Sequence, residues 1–571
     1  MKNIICFLSS SLFSENRRTL HRVRQLMQGA PYLTAFTLIF GLFACQGILE
    51  ENPVGLATAE SYYSTSKGIE DGLKATYTPL RGFYGRQEAY FLTVTGTDMY
   101  TNGFGGATNT PDINNYSPNF LGSHNYVRVI WDNFYVGINQ ANAVISRAPK
   151  VQGMNEATRS RVIAEARFLR ALYYYHLVRQ FGDVHFTLEE TQGVETEARR
   201  TPVATIYKEG ILPDLQYAVA NLPAKAIDYG RASKHAAEAV LASVHLTLEN
   251  WAEAEKMAAA VINSNDFQLV KNYIDLWDIN NDVNSEVIWS VQYTDDPLTN
   301  GPGNNGHLYF QFDYTRNPAM TRDIENGRPF QRFMPTNYTL KLFDLSKDSR
   351  FVGSFKTVWI ANRQGTINGK KVMPGDTAIK IVLNPVPDAL QKTVPYWLID
   401  FNDKWVGNVT DPLEIGGASR RQFPTLIKYL DPLRTSINAT DGRRDFLVIR
   451  LAEMYLIAGE AAFRQGNNVK AAEYVNVIRT RAALPGKVAA MQVTAADMSQ
   501  DFFLDERGRE LAGEMHRWYD IKRSGKFIDR LMKYNLDAAA NVKPTHIVRP
   551  IPQTQIDRVT NPGDFLQNPG Y

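Results

Sequence analysis

Cysteine is nearly absent from this sequence. Its 571 residues include only Cys6 and Cys45, and Cys6 lies in a leader segment that we expect to be removed. The mature chain therefore cannot form an internal disulfide, so a hydrophobic core must hold the fold together. A chain of this length can bury one or two large cores.

A strong net charge is also lacking. The sequence has 62 basic and 59 acidic residues, and an excess of basic residues in the leader accounts for its formal charge of +3. This balance removes the main support for binding to nucleic acid and for polybasic attachment to a membrane surface. With 44% hydrophobic and 21% charged residues, the composition also excludes an intrinsically disordered chain.

The N-terminus has the pattern of an export signal. Four arginines between residues 17 and 24 precede an uncharged apolar run at residues 33–44, which is the order found in secretory signal peptides. A helix of that run would reach only about 18 Å, short of the roughly 30 Å of a bilayer core. We therefore predict that residues 1–44 are a removed leader. Met27 is an alternative start of translation.

Cys45 directly follows Leu42-Phe43-Ala44, a sequence that resembles the lipobox of bacterial lipoproteins. In that motif the cysteine is diacylated and becomes the first residue of the mature chain. The resemblance predicts lipidation of Cys45 and attachment to the membrane through the lipid alone. The alternative is ordinary secretory cleavage that leaves Cys45 unmodified.

Hydrophobic periodicity predicts long amphipathic helices on both sides of an irregular region. The clearest pair is expected at residues 445–464 and 469–483, separated by Gly466-Asn467, and forms a helical hairpin. Its spacing of small residues resembles that of a tetratricopeptide repeat, and a second hairpin is expected around Glu249-Asn250-Trp251. Further helices are predicted at residues 131–148, 155–181 and 205–222.

Residues 266–441 have a different composition, rich in Gly, Pro, Asn and aromatic residues, with short strands expected at 286–293 and 378–383 and no long helix. We therefore predict a mainly α fold, in which a tetratricopeptide-like solenoid carries a large irregular insertion of loops and short strands. The expected organisation is an N-terminal scaffold at 45–265, a ligand-binding insertion at 266–441, and a C-terminal hairpin and tail at 442–571. Loops on a rigid scaffold are where binding residues are usually found.

Several motifs along the whole mature chain resemble the SusD/RagB family. They are Leu49-Glu50-Glu51-Asn52-Pro53-Val54, Arg231-Ala232-Ser233-Lys234, Asn284-Ser285-Glu286-Val287-Ile288, Arg450-Leu451-Ala452-Glu453-Met454-Tyr455-Leu456-Ile457, Glu506-Arg507-Gly508-Arg509-Glu510-Leu511, Arg549-Pro550-Ile551-Pro552 and Asn568-Pro569-Gly570-Tyr571.

The resemblance implies a surface lipoprotein of the outer membrane of Bacteroidota. Such a protein binds glycans, covers a SusC-like TonB-dependent outer-membrane transporter as a lid, and is not an enzyme. Because these motifs belong mostly to the scaffold, they indicate the fold and the transporter partner more strongly than the ligand.

Three patterns could suggest other chemistry. Residues 301–306 have the letters of a dinucleotide-binding loop, but no helix start follows, so we interpret them as a flexible loop. The alternation at Asp278, Asn280, Asp282 and Asn284 lacks the glycine and glutamate of a calcium loop. No zinc or di-iron spacing occurs around the histidines. We therefore expect no metal and no cofactor.

A sugar site needs flat apolar faces for pyranose rings, and amides or charged groups for hydroxyls. Aromatic residues within polar loops supply both, so we predict exposed stacking rings and amide partners there, with Tyr100 as the principal ring. The candidate ligand-binding residues are Tyr100, Asn102, Phe104, Tyr116, Asn305, Tyr309, Phe310 and Trp359.

Two other classes of function remain open from the sequence. A helical-repeat adaptor would bind a protein and should need no large aromatic insertion. A surface glycosidase would need a pair of carboxylates in one cleft, a spacing that sequence cannot supply.

Overall fold

The computed structural model describes residues 59–296, 298–400, 414–415 and 418–571. The predicted leader, Cys45 and the motif at residues 49–54 lie outside the described residues. Among the described residues, no helix combines the length and the apolar character needed to cross a membrane.

The scaffold is a series of α-helices in which each packs against the next. Its helices are α2 (Ser66–Tyr77), α6 (Asn125–Arg147), α7 (Glu156–Phe181), α9 (Leu212–Asn221), α10 (Lys234–Thr247), α11 (Trp251–Ile262), α15 (Leu451–Arg464) and α16 (Asn468–Ala482). Helix α11 packs against α15, although the whole insertion separates them in the chain. This arrangement confirms the predicted mainly helical fold with few strands.

Side-chain caps mark the start of several scaffold helices. Asn155 accepts a hydrogen bond from the Thr158 amide at the start of α7, and Ser233 accepts one from Ala236 at the start of α10. Asn467 caps α16 in the same way, immediately after Gly466, whose φ of +82° lets the chain turn between α15 and α16. Each cap satisfies an amide that would otherwise lack a partner.

The remaining helices are shorter. They are α1 (Ala59–Tyr63), α3 (Gln87–Thr93), α4 (Phe104–Asn109), α5 (Pro111–Asn115), α8 (Val203–Ile206), α12 (Asn337–Lys341), α13 (Arg350–Ser354), α14 (Asp388–Gln391), α17 (Val488–Met491), α18 (Gln500–Glu510), α19 (Arg517–Arg523), α20 (Phe527–Tyr534), α21 (Leu536–Ala539) and α22 (Gln553–Ile556). No described helix within residues 266–441 exceeds five residues, as the sequence predicted.

The strands are short and pair in small sheets. They are β1 (Tyr100–Asn102), β2 (Val287–Val291), β3 (Phe333–Pro335), β4 (Phe355–Lys356), β5 (Val358–Ile360), β6 (Gly365–Ile367), β7 (Lys370–Val372), β8 (Thr377–Val382), β9 (Trp397–Asp400), β10 (Glu414–Ile415), β11 (Ala418–Ser419), β12 (Thr425–Leu426) and β13 (Phe446–Arg450). The pairs are β1 with β3, β2 with β13, β4 with β12, β6 with β7 and β10 with β11, and β5, β8 and β9 form one three-stranded sheet.

One sequence expectation about the C-terminal hairpin was wrong. Residues 446–450 were expected to belong to the helix, but they form β13, which pairs antiparallel with β2. The run from Phe446 to Ile449 is apolar throughout and buried, and periodicity cannot separate a buried strand from a buried helix over so few residues. This pairing places residues 287–291, near the start of the insertion, beside residues 446–450, just after its end.

A network of buried charges lies beneath this pair of strands. Arg450 donates to Glu286 on the β2 side (2.8 Å), to Glu510 (2.7 Å) and to Glu514 (2.8 Å). Arg481 on α16 joins the same network through Glu286 (2.8 Å). Buried charges are tolerated when they are paired and hydrogen-bonded, so these residues join the base of the insertion to the C-terminal helices.

Candidate functional site

Tyr100, the principal ring predicted from the sequence, lies in the protein core. Its side chain is 1% exposed, and its ring packs edge-on against Phe310 with 5.7 Å between centroids. Neighbouring Asp98 is also buried and pairs with Arg517 and Arg530, each at 2.6 Å. The expectation of an exposed ring was therefore wrong for Tyr100, because ion pairs and ring contacts hold this segment inside.

The other predicted rings are mostly buried as well. Tyr309 is 3% exposed, and Phe310 and Trp359 are each 1% exposed. Phe310 stacks on Tyr429, and Trp359 meets Phe312 edge-on at 4.6 Å. Thus these aromatic residues belong to the hydrophobic core that the insertion shares with the scaffold, and the expectation of exposed rings was wrong for them too.

Tyr116 is likewise buried, at 1% exposure, and its hydroxyl donates to the Gly96 carbonyl at 2.6 Å. Its ring stacks on His546 with 5.1 Å between centroids. The hydroxyl has an internal acceptor and the ring has an internal partner, so Tyr116 stabilises the packing of the C-terminal segment rather than presenting a free face.

The two predicted amides hold loops together. Asn102 is 1% exposed, and its Nδ2 donates to Asn115 Oδ1 at 3.2 Å. Asn305 is 5% exposed and donates to the Thr440 carbonyl (2.5 Å) and to Asp441 Oδ1 (2.9 Å). Asn305 therefore holds Thr440 and Asp441 in place, next to a cleft described below.

Phe104 is the predicted ring that remains half-buried. It begins α4, and the Arg421 guanidinium lies over one face, 3.1 Å from the ring centroid. The Phe104 amide donates to the Arg420 carbonyl at 2.9 Å. Placement of Phe104 near the surface is compatible with the predicted binding role.

The sequence analysis did not identify a polar cleft of about 430 Å³, which lies between Thr294, Asp295, Asn300 and Gly301 on one side and residues 433–443 on the other. This volume lies within the roughly 300–1,000 Å³ of typical small-ligand sites. The polar side chains that line this loop cleft are Asp295, Asn300, Arg434, Asn438, Asp441 and Arg443.

Asn300 and Gly301 line the loop cleft. The glycine-rich segment at residues 301–306, interpreted as a flexible loop, is packed against residues 440–442 instead. Asn304 and Gly442 exchange backbone hydrogen bonds of 3.3 and 2.8 Å. Gly303 has a φ of +64°, and a Cβ there would lie 2.6 Å from Asp441. Glycine is therefore required where the two segments approach each other.

Phe330 and its arginines lie beside the loop cleft. Asn438 accepts a hydrogen bond from Arg322 through Oδ1 (2.9 Å) and one from Arg328 through its carbonyl (3.0 Å). The Arg328 guanidinium lies 5.1 Å from the centroid of the half-buried Phe330 ring, and Arg332 lies 5.8 Å from it. Arg332 also donates to the Gly105 carbonyl at 2.5 Å, which brings α4 and Phe104 close to Phe330.

His307 lies beneath the loop cleft and is uncharged at neutral pH. Burial, together with the nearby Arg434, lowers the His307 pKa to about 3. Its Nε2 lies 3.4 Å from the Ala439 carbonyl. His307 therefore supports residues 433–443 as a neutral hydrogen-bonding group.

A second, smaller cleft of about 290 Å³ lies where the start of the insertion meets the scaffold. Its lining includes Arg81, Tyr229, Arg231 and Gln292. Arg231 forms an ion pair with Glu165 at 2.8 Å. Within the described residues, no group of three or more His, Cys, Asp or Glu side chains is arranged to hold a metal ion.

A solenoid of helical hairpins that carries a loop insertion with a polar cleft defines a class of binding proteins in which the scaffold positions the loops. The sequence profile of the SusD family matches residues 285–571. The chain belongs to the SusD family. Residues 73–246 also match a SusD-like family described as starch-binding and associating with the outer membrane.

Curated relatives extend over most of the chain. SusD-like protein P25 of Formosa agariphila is 28% identical over 553 residues, covering 94% of this chain and 98% of the relative. The starch-binding protein SusD of Bacteroides thetaiotaomicron is 25% identical over 480 residues, covering 78% of each chain.

Solved structures share the fold. A laminarin-binding SusD-like protein superposes with a TM-score of 0.64 at 23% identity, covering 89% of this chain and all of the other. The surface glycan-binding protein A of Bacteroides thetaiotaomicron, solved in complex with laminarihexaose, gives a TM-score of 0.65 at 20% identity, covering 88% of this chain and 99% of the other. At these identities the likeness establishes the fold alone.

Proposed function

We propose that this protein is a cell-surface lipoprotein that binds a glycan in the loop cleft and delivers it, chemically unchanged, to a SusC-like TonB-dependent outer-membrane transporter. The observation that carries glycan binding is the loop cleft itself. Amide, carboxylate and guanidinium groups line it. The half-buried Phe330 lies near it, because Arg328 contacts both the Phe330 ring and the Asn438 carbonyl, and Phe104 lies in turn near Phe330. Hydroxyls can pair with the polar groups, and pyranose C–H faces can lie on the rings.

The relatives support this proposal. A starch-binding protein, a laminarin-binding protein and a complex with laminarihexaose all occur among the proteins of similar sequence or fold. The association with the outer membrane in the description of the second matching family supports the proposed location. The transporter partner rests on the family alone, and co-purification from native membranes in mild detergent tests it.

Glycan binding is tested with a glycan array followed by calorimetry on the strongest saccharide. We expect Phe330→Ala to weaken binding about ten- to hundredfold, because loss of a stacked ring costs about 1 to 3 kcal/mol in comparable sites. Asn438→Ala should also weaken binding, because it removes an amide from the cleft lining. The matched control is Phe267→Ala, which truncates a half-buried ring that packs on His235 in the scaffold.

Each variant is also melted thermally. Unchanged affinity in both Phe330→Ala and Asn438→Ala, with normal melting, would exclude this surface as the binding site. Release of shortened saccharide from the wild type would contradict the absence of catalysis and favour the glycosidase alternative.

A further inference from the structure

Arg434 is a buried cation that has unused hydrogen-bond donors. It forms part of the lining of the loop cleft and is 5% exposed. Its Nη2 donates to the Ile324 carbonyl at 3.0 Å. Its Nε and Nη1 are buried and have no acceptor among the described residues. A guanidinium offers five N–H donors, so most of the donors of Arg434 are unused.

The carboxylates around Arg434 already have other partners. Asp431 accepts from the backbone amides of Leu433 (3.0 Å) and Arg443 (2.8 Å). Asp295 pairs with the Arg443 side chain at 3.0 Å. Asp441 accepts from the Asn305 amide at 2.9 Å.

Asp323, another carboxylate near Arg434, accepts hydrogen bonds from the side-chain amides of Asn326 (2.8 Å) and Asn362 (2.6 Å). No carboxylate in the described part of the chain forms an ion pair with Arg434. Burial lowers the Arg434 pKa, and the nearby Asp431, Tyr314 and Asp323 oppose this shift only in part.

A buried cation without a paired anion is unfavourable, and a guanidinium matches the planar geometry of a carboxylate or the oxygens of a sulfate. We propose that the loop cleft selects saccharides that carry carboxylate or sulfate groups, and that Arg434 recognises the anionic group. This inference rests on the proposed glycan binding and names the class of glycan. Because Nε and Nη1 are covered, direct hydrogen bonds to them require a shift of residues 433–443.

The test is calorimetry with three hexasaccharides that differ in charge: a hexagalacturonate, a sulfated carrageenan hexasaccharide and the neutral laminarihexaose. We expect at least one anionic hexasaccharide to bind at least tenfold more tightly than laminarihexaose. Its affinity should fall as salt increases, because ions screen charge interactions. Comparison of the two anionic hexasaccharides distinguishes carboxylate from sulfate.

Arg434→Gln should abolish the preference for anionic saccharides. Arg434→Lys should retain part of it, because lysine keeps the charge but lacks the planar fork. The matched control is Arg316→Gln, which makes the same change at an exposed arginine of the insertion. Thermal melts report whether each variant folds. If Arg434→Gln does not fold, the inference is tested by the wild type alone, through its preference for anionic saccharides and the salt dependence of that binding.

Equal or tighter binding of laminarihexaose by the wild type would overturn the inference and leave the proposed glycan binding intact. An unchanged preference for the anionic saccharide in a folded Arg434→Gln variant would also overturn it. Failure of the wild type to bind any saccharide on the array would overturn the proposed function and the inference together.

Discussion

Tyr100 shows how an aromatic residue in a polar segment becomes part of a core. The sequence places it among Thr, Asp and Asn, which resembles an exposed loop, yet the ring is buried against Phe310. Both rings belong to one large core that joins the scaffold to the insertion, and aromatic side chains contribute large apolar areas to such a core. Residue type therefore predicted where aromatic residues gather, but burial depends on contacts between distant segments.

We expect Tyr100→Ala to destabilise the protein by about 3 to 5 kcal/mol, since truncation of a buried ring leaves a cavity. Tyr100→Phe should change stability little, because the Tyr100 hydroxyl is buried without a hydrogen-bond partner in the described chain. Denaturant unfolding measures both. A loss of glycan affinity in Tyr100→Ala without a loss of stability would show that the ring does contact ligand.

The residues that line the loop cleft could not have been found by a search for aromatic residues. Asn300 and Asn438 are ordinary amides from two segments far apart in sequence. Tertiary contacts such as the backbone pairing of Asn304 with Gly442 bring those segments together. The glycine-rich stretch at 301–306 was a usable signal for close approach of two backbones, but it was interpreted as a flexible loop.

At the scale of elements, the scaffold was predictable because its helices are long. The expected helix at 155–181 corresponds to α7, Glu156–Phe181, and that at 469–483 to α16, Asn468–Ala482. Expected strands at 286–293 and 378–383 correspond to β2 and β8. Strand β13 was missed because its apolar run continues directly into the apolar face of α15.

Three of the family motifs within the described residues supply charged residues of one buried network, and a fourth supplies a second ion pair. Glu286 precedes β2, Arg450 ends β13 and Glu510 ends α18, and all three belong to one buried network. Arg231 pairs with Glu165 in α7, and the Tyr77 hydroxyl donates to the same carboxylate at 2.6 Å. These motifs therefore report the fold and carry little information about the ligand.

Glu510→Gln should destabilise the protein by about 3 to 5 kcal/mol at pH 7, because it leaves buried arginines without their anion. Arg481, Arg450 and Arg350 hold the Glu510 pKa far below its ordinary value, against the desolvation that would raise it. Its contribution is therefore complete above about pH 4.5 and is lost as the pH falls below that value.

Unfolding by denaturant at pH 7 and at pH 3.5 measures this difference. The gap in stability between the wild type and Glu510→Gln should narrow at pH 3.5. The matched control is Glu473→Gln at an exposed position of α16, which should resemble the wild type at both pH values. An equal gap at the two pH values would show that the charge of Glu510 is not the source of the effect.

At the scale of the whole molecule, attachment and binding are expected to reside in separate parts of the chain. Cys45→Ala should leave a folded protein in the soluble periplasmic fraction, because the lipid is proposed to supply the membrane attachment. Membrane fractionation in cells that lack the transporter measures this. Recovery of the variant with outer membranes in those cells would show that another part of the protein is the anchor.

The antiparallel pairing of β2 with β13 and the packing of α11 against α15 bring the chain into and out of the insertion at one place. The scaffold helices before and after the insertion are therefore neighbours, whatever the loops between them contain. For a loop whose ends are already pinned, a doubling of length costs only about 0.6 kcal/mol of closure entropy. Exposed loops of the insertion that contribute no core side chain can thus be lengthened or shortened at little cost in folding free energy, which would allow ligand specificity to diverge while the scaffold stays the same.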